Sequence, residues 1–214
     1  MHPRLPKTGL YAITDGPRTD LFGAVEGALK GGVAMLQYRD KTPDAIRRRD
    51  EARALRTLCT RFGVPLIIND DVALAREIDA DGVHLGEDDS DVIAARSMLG
   101  AMRIIGASCY DSMARARDLA AAGVDYLAFG AFYPSPTKPQ ARRATLGLLT
   151  EAKALGLPLV AIGGITSDNV RPLVEAGADF VAVITDIFGA SDPTSAAARY
   201  RDAFLPRRDA SGSA

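Results

Sequence analysis

Eight short apolar runs recur along the chain, each followed by a longer stretch with helical spacing, and this rhythm narrows the folds open to it. The runs are GLYAITD (9–15), VAMLQYRD (33–40), PLIIND (65–70), GVHLG (82–86), RIIGASC (103–109), YLAFGAF (126–132), PLVAIGGI (158–165) and FVAVITD (180–186). Near-continuous apolar runs suit strands buried on both faces of a parallel sheet. Between them, 21–30, 43–61, 71–78, 91–99, 112–122, 146–155, 169–176 and 193–204 read as helices. The pairs Asp111-Ser112, Ser167-Asp168 and Ser191-Asp192 read as N-terminal caps. The glycines of KGGV, RFGV, AAGV, ALGL and EAGA read as helix ends. Eight strand–helix units in this length predict an α/β fold: a single-domain (β/α)8 TIM barrel over residues 1–205, with 206–214 as a loose tail. The near-repeats GGVAML, AAGVDYLAFG and EAGADFVAVI support repeated units. A doubly wound sheet is the alternative, weakened because no Gly-x-Gly-x-x-Gly turn follows the first strand.

Charge excludes some function classes. A formal net charge of −1 leaves no basic field for nucleic acid or a membrane surface. The arginine runs Arg47-Arg48-Arg49, Arg142-Arg143 and Arg207-Arg208 read as solvated surface. No apolar stretch approaches a membrane span, and MHPRLPKTG lacks a signal core. Two cysteines, Cys59 and Cys109, make no disulfide framework, which suits reduced thiols and a cytoplasmic location. Cys109 reads as a buried barrel residue.

In a barrel of this kind, chemistry belongs at the C-terminal ends of the strands. LQYRDK carries Gln37, Arg39 and Lys41 at every second position, so a strand would point all three one way. The other strand ends supply Thr14-Asp15, Asn69-Asp70-Asp71, His84 with Glu87-Asp88-Asp89, Ser108-Cys109, Gly163-Gly164 and Thr185-Asp186. Arg forks and Lys point charges bind phosphate oxygens, and carboxylates beside them suit Mg²⁺. Together they describe a site for a metal-chelated diphosphate. The plainer alternative is that Arg39 and Lys41 form salt bridges to Asp70 and Asp89 with no ligand. Gly163 and Gly164 can offer backbone N–H groups to a phosphate, or only make a tight turn. The proline-rich loop 132–144 with Lys138 reads as a closing lid or as plain surface.

The stretches LQYRDK, IINDD, GVHLGEDD, IGASCYD, GAFYPSPTK, AIGGIT and AVITDIF, in that order, resemble the thiamine-phosphate synthase family over about residues 9–190. The resemblance implies a transferase that joins a hydroxymethylpyrimidine diphosphate to a thiazole phosphate, releasing diphosphate. It places Gln37, Arg39, Lys41, Asn69, Ser108 and Lys138 on the pyrimidine diphosphate, with Arg39, Lys41, Ser108 and Lys138 as the catalytic set. It places Asp70 and Asp89 on Mg²⁺, with Asp88 a competing ligand. It places Ser135, Pro136, Thr137, Gly164, Ile184 and Thr185 on the thiazole phosphate. Glu87 stands where Gln is frequent in the family, and Thr185 where Ser is common. Asp186 adds a charge that weakens the phosphate assignment unless its carboxylate points away. His84 reads as structural or substrate-packing as readily as proton-transferring, and stays outside the catalytic set.

The expected chemistry is a dissociative substitution without a protein nucleophile, the cations stabilising the departing diphosphate. The partners are small molecules, with neither nucleic acid nor membrane. Three rivals remain: a thiazole tautomerase-like paralogue, a Schiff-base aldolase using Lys41, and a non-catalytic thiamine phosphate-binding barrel. The sequence leaves open the oligomeric state, a homo-oligomer included, and whether the thiazole partner is carboxylated.

Overall fold

The computed structural model describes residues 2–87, 91–134 and 142–206. Eight parallel strands close into a barrel in sequence order, the first pairing with the last. They are β1 (Gly9–Ile13), β2 (Met35–Tyr38), β3 (Leu66–Asn69), β4 (Gly82–Leu85), β5 (Ile104–Tyr110), β6 (Tyr126–Gly130), β7 (Leu159–Ile162) and β8 (Phe180–Val183). The helices are α1 (Leu21–Lys30), α2 (Ala45–Phe62), α3 (Val72–Glu77), α4 (Val92–Leu99), α5 (Met113–Ala122), α6 (Leu146–Ala152), α7 (Arg171–Ala176), α8 (Thr185–Phe188) and α9 (Pro193–Ala198). The doubly wound alternative is therefore excluded.

Strand alternation divides the core in two. Tyr11, Ile13, Met35, Ile67, Ile104, Tyr126, Val160 and Phe180 fill the barrel interior, and Leu5 joins them from outside the strands. The intervening residues, Leu36, Tyr38, Ile68, Val83, Ile105 and Leu127 among them, pack outward beneath the helices. The sequence repeat has a physical meaning at the N-terminal rim. Asp81, Asp125 and Asp179 stand just before β4, β6 and β8, and each accepts a backbone N–H from the preceding strand region, at Leu66 (2.9 Å), Ile105 (2.7 Å) and Leu159 (2.8 Å). At the matching place before β2 the chain has Ala34, so that staple is missing.

Four of the expected glycine stops, Gly63, Gly123, Gly156 and Gly177, end helices in the left-handed conformation. Gly31 ends α1 at φ −70° instead. It is small because a Cβ would sit 2.5 Å from the Thr194 carbonyl oxygen of the neighbouring α9. Ser112 and Asp192 cap their helices as expected, accepting from the N–H of Arg115 and Thr194. The Ser167-Asp168 cap does not form: α7 opens after Val170 without a side-chain cap. The segment 146–155 ends in a 3-10 turn (Lys153–Leu155), and a second such turn (Arg201–Phe204) follows α9. The FVAVITD run is not all strand, because Thr185 and Asp186 already belong to α8. No helix among the described residues is long and apolar enough to cross a membrane. Cys59 and Cys109 are buried free thiols, and burial pushes both up to about 12.

Candidate functional site

β2 sets the parity of the mouth. Met35 faces the barrel interior, so Gln37 faces it too and lies buried. Gln37 donates through Nε2 to the Tyr11 hydroxyl at 2.7 Å. Two positions on, Arg39 follows the end of β2. Its backbone is gripped twice by buried Thr14: Arg39 N–H donates to Thr14 Oγ1 (2.8 Å), and Thr14 Oγ1 donates to the Arg39 carbonyl (3.1 Å). The Arg39 guanidinium makes no hydrogen bond or ion pair with the described residues, although nearly every other arginine near the mouth is engaged. Lys41 projects to solvent and pairs with Asp70 at 3.3 Å. One half of the ligand-free alternative is therefore present, as Lys41–Asp70; Arg39 has no partner among the described residues, and Asp89 lies outside them.

The intervening Asp40 turns the other way. Its buried carboxylate meets Arg47 at 2.7 Å and accepts the Thr42 N–H at 2.8 Å. Burial opposes its ionisation, but Arg47 and Thr42 outweigh that and hold its pKa below the usual carboxylate range. Arg47 also bonds Glu51 (3.0 Å) and Thr42 (2.5 Å), while Arg48 reaches Asp71 at 2.9 Å. The reading of Arg47 and Arg48 as merely solvated is thus corrected: they fasten the loops after β2 and β3.

The NDD cluster splits by role. Asp71 caps α3, accepting from Leu74 N–H at 2.9 Å. Asp70 stands at φ 64°, a left-handed conformation uncommon outside glycine. That turn aims its carboxylate at the mouth, where Asn69 Nδ2 donates to it at 2.6 Å. As a metal donor set, this is one hard-oxygen carboxylate beside a cation, which fits Mg²⁺: that ion takes one or two carboxylates plus water and substrate phosphate. No group of three candidate metal-binding side chains exists among the described residues. Asp88 and Asp89 lie outside them.

Ser108 sits at a β-bulge, where the β5–β6 register shifts between Ser108 and Tyr110. Such bulges re-aim a side chain at a barrel rim. Arg115 locks the spot by donating to the Ser108 carbonyl (2.7 Å) and the Gly86 carbonyl (2.9 Å). Ser108 Oγ lies 2.9 Å from His84 Nε2. Arg142 pairs with Glu87 at 2.9 Å and lies over the Tyr110 ring, so it too is more than solvated surface.

On the far side of the mouth, the glycines after β7 close against the β6 loop. A Cβ on Gly164 (φ 63°) would lie 2.4 Å from the Pro134 carbonyl oxygen, and one on Gly163 (φ 103°) 2.4 Å from Ala131 Cβ. Asn169 secures this junction: its amide donates to the Gly164 carbonyl (3.0 Å), and its own carbonyl accepts the Tyr133 hydroxyl (2.8 Å). Gly164 stands at the end of β7, with Ile184 and exposed Thr185 at the end of adjacent β8. Asp186 points away from them: its carboxylate accepts the Tyr200 hydroxyl at 2.7 Å, with Arg199 at 3.8 Å. Ser135, Pro136, Thr137 and Lys138 fall outside the described residues.

The fold therefore gathers Gln37, Arg39, Lys41, Asn69, Asp70 and Ser108 at one end of the barrel, with Gly164, Ile184 and Thr185 across from them. Sequence reasoning placed Thr14 at a strand end without a role and missed Arg115, both of which hold site residues through backbone contacts, and it missed Tyr11 and Tyr126 in the interior. Alternation along GLYAI already faces Tyr11 inward; nothing local indicates that its hydroxyl meets that of Tyr126.

A family model described as Thiamine monophosphate synthase matches residues 10–187. Thiamine-phosphate synthase of Azoarcus sp. (strain BH72) is 57% identical over 199 residues, covering 92% of this chain and 97% of its own. That of Xanthomonas campestris pv. campestris (strain 8004) is 56% identical, covering 92% and 95%. Among solved structures, thiamine phosphate pyrophosphorylase from Pyrococcus furiosus superposes with a TM-score of 0.85 at 33% identity, over 94% of this chain and 96% of that one.

Proposed function

Because the chain belongs to the thiamine monophosphate synthase family, we propose that its barrel mouth joins a hydroxymethylpyrimidine diphosphate to a thiazole phosphate, giving thiamine phosphate and diphosphate. The observation that carries this reading is the Arg39 guanidinium: backbone clamped by Thr14, head unpartnered among the described residues, beside Lys41 and Asp70. A cation positioned this way suits a polyanion that arrives and leaves.

Bond breaking places charge on the departing diphosphate. Arg39, Lys41 and Lys138 would bind it more tightly as that charge grows, which lowers the barrier. Asp70 and Asp89 would hold Mg²⁺, which when bound supplies further charge neutralisation on the diphosphate. The methylene–oxygen bond breaks with its electron pair leaving on diphosphate. The thiazole nitrogen lone pair then forms the carbon–nitrogen bond, so no protein nucleophile is needed. Gln37, Asn69 and Ser108 would orient the pyrimidine. Gly164, Ile184 and Thr185, with Ser135 to Thr137, would take the thiazole phosphate, where the short helix α8 matches the phosphate-binding habit of such barrels. The outward-turned Asp186 supports this, since it removes the charge that stood against it.

The Schiff-base rival needs a desolvated lysine, and Lys41 is 62% exposed and ion-paired. Diphosphate release assayed with each substrate alone, with both, and after chelation tests the reading. Release should require both substrates and fall on chelation. Binding of thiamine phosphate without any release would favour the non-catalytic barrel, and undiminished release after exhaustive chelation would remove Asp70 and Asp89 as metal ligands.

A further inference from the structure

Five polar groups from five strands touch in series across the barrel interior. Gln37 Nε2 lies 2.7 Å from the Tyr11 hydroxyl, Tyr11 2.9 Å from the Tyr126 hydroxyl, Tyr126 2.9 Å from His84 Nδ1, and His84 Nε2 2.9 Å from Ser108 Oγ. We propose that Tyr11, Tyr126 and His84 form a one-way hydrogen-bond relay. It fixes Gln37 as an acceptor and Ser108 as a donor toward an amino-substituted nitrogen heterocycle in the mouth.

Proton counting gives the direction. Each phenol has one proton to donate. Tyr11 accepts from Gln37, so its own proton goes to Tyr126. The Tyr126 proton goes to His84 Nδ1, so His84 carries its hydrogen on Nε2 and donates to Ser108 Oγ. The Ser108 hydroxyl hydrogen is then left to point at a ligand. At the other end, Gln37 Oε1 accepts no hydrogen bond among the described residues. Burial raises the pKa of both phenols, Tyr11 and Tyr126, so each keeps its proton. Turning the Gln37 amide over would reverse every bond in the series. The two ends are therefore coupled, although they stand on β2 and β5.

The interior is shaped for this series. Gly106, paired with Tyr126 across β5 and β6, has no Cβ, and one placed there would lie 1.8 Å from Tyr126 Cζ. The Tyr126 ring stacks on His84 with 15° between planes and meets Tyr11 edge-on at 89°. An acceptor on one side and a donor on the other match an exocyclic N–H and a ring nitrogen. The identity of that ring as the pyrimidine rests on the proposed function; the relay itself does not. Tyr11, Tyr126 and His84 are positioning residues.

The chain has two histidines, His2 and His84, so ¹⁵N imidazole spectra of the free protein read the tautomer directly, with His2→Gln assigning the signals. His84 should show a proton-bearing Nε2 and an accepting Nδ1. Tyr126→Phe should shift the Nδ1 signal and raise KM for the pyrimidine diphosphate about tenfold, the scale of one hydrogen bond, with KM for the thiazole phosphate unchanged. Tyr11→Phe should perturb the His84 signals as well and raise the same KM, because it cuts the link that sets the direction of the Tyr126–His84 bond and frees the Gln37 amide. An Nδ1–H tautomer in the wild type overturns the proposal, as does a folded Tyr126→Phe protein with unaltered His84 signals. If Tyr126→Phe does not fold, the wild-type spectrum and Tyr11→Phe decide. Failure of the functional reading would show separately, as wild-type protein that releases no diphosphate.

Discussion

Thr14→Val replaces one oxygen with a methyl group of nearly the same volume, at a side chain with no solvent exposure. No cavity forms, so the effect isolates the hydroxyl. That hydroxyl makes two hydrogen bonds to Arg39, at 2.8 and 3.1 Å. At about 1 kcal/mol net for each, the loss is about 2 kcal/mol. For a domain of this size that corresponds to a fall of about 4–8 °C in Tm. The larger consequence falls on function. Released from Thr14, the chain at Arg39 can shift, and displacing a positioned group by an ångström can cost on the order of a hundredfold in rate. Urea melts and diphosphate-release kinetics on Thr14→Val and Thr14→Ser separate the two effects. Val should lower kcat/KM far more than its stability loss accounts for, and Ser should recover most of it. A Thr14→Val protein with wild-type kcat/KM would refute the idea that Thr14 sets Arg39 for catalysis.

Gly106→Ala should destabilise the barrel by about 1–3 kcal/mol through overpacking against Tyr126; wild-type urea stability would show that the ring yields freely. Gly164→Ala, at φ 63° and 2.4 Å from the Pro134 carbonyl oxygen, should disturb the β6 loop and raise KM for the thiazole phosphate more than for the pyrimidine; equal changes in both would contradict the assignment. The depressed pKa of Asp40 stabilises the fold fully above the ordinary carboxylate value, and that contribution is lost as pH falls through the lower folded value. Stability of wild type should therefore fall as pH drops below about 4, and Arg47→Met should flatten this acid limb in melts across pH.

The sequence by itself determined the barrel, because eight apolar runs separated by amphipathic segments leave few ways to bury every strand twice. It also determined the parity of Gln37, since strand alternation is local geometry. Four of five helix-ending glycines were legible for the same reason: a left-handed residue at a helix end is a local need. Only the tertiary structure decided which polar groups meet. Asp70 and Asp71 are adjacent and chemically identical, yet one backbone angle sends the first to the mouth and leaves the second capping α3. Asp186 looked hostile to a phosphate until Tyr200 and Arg199, from the end of the chain, drew it aside. Tyr11 and Tyr126 are 115 positions apart. Their contact depends on barrel closure and on the space left by Gly106, and neither leaves a trace in the local pattern of the chain.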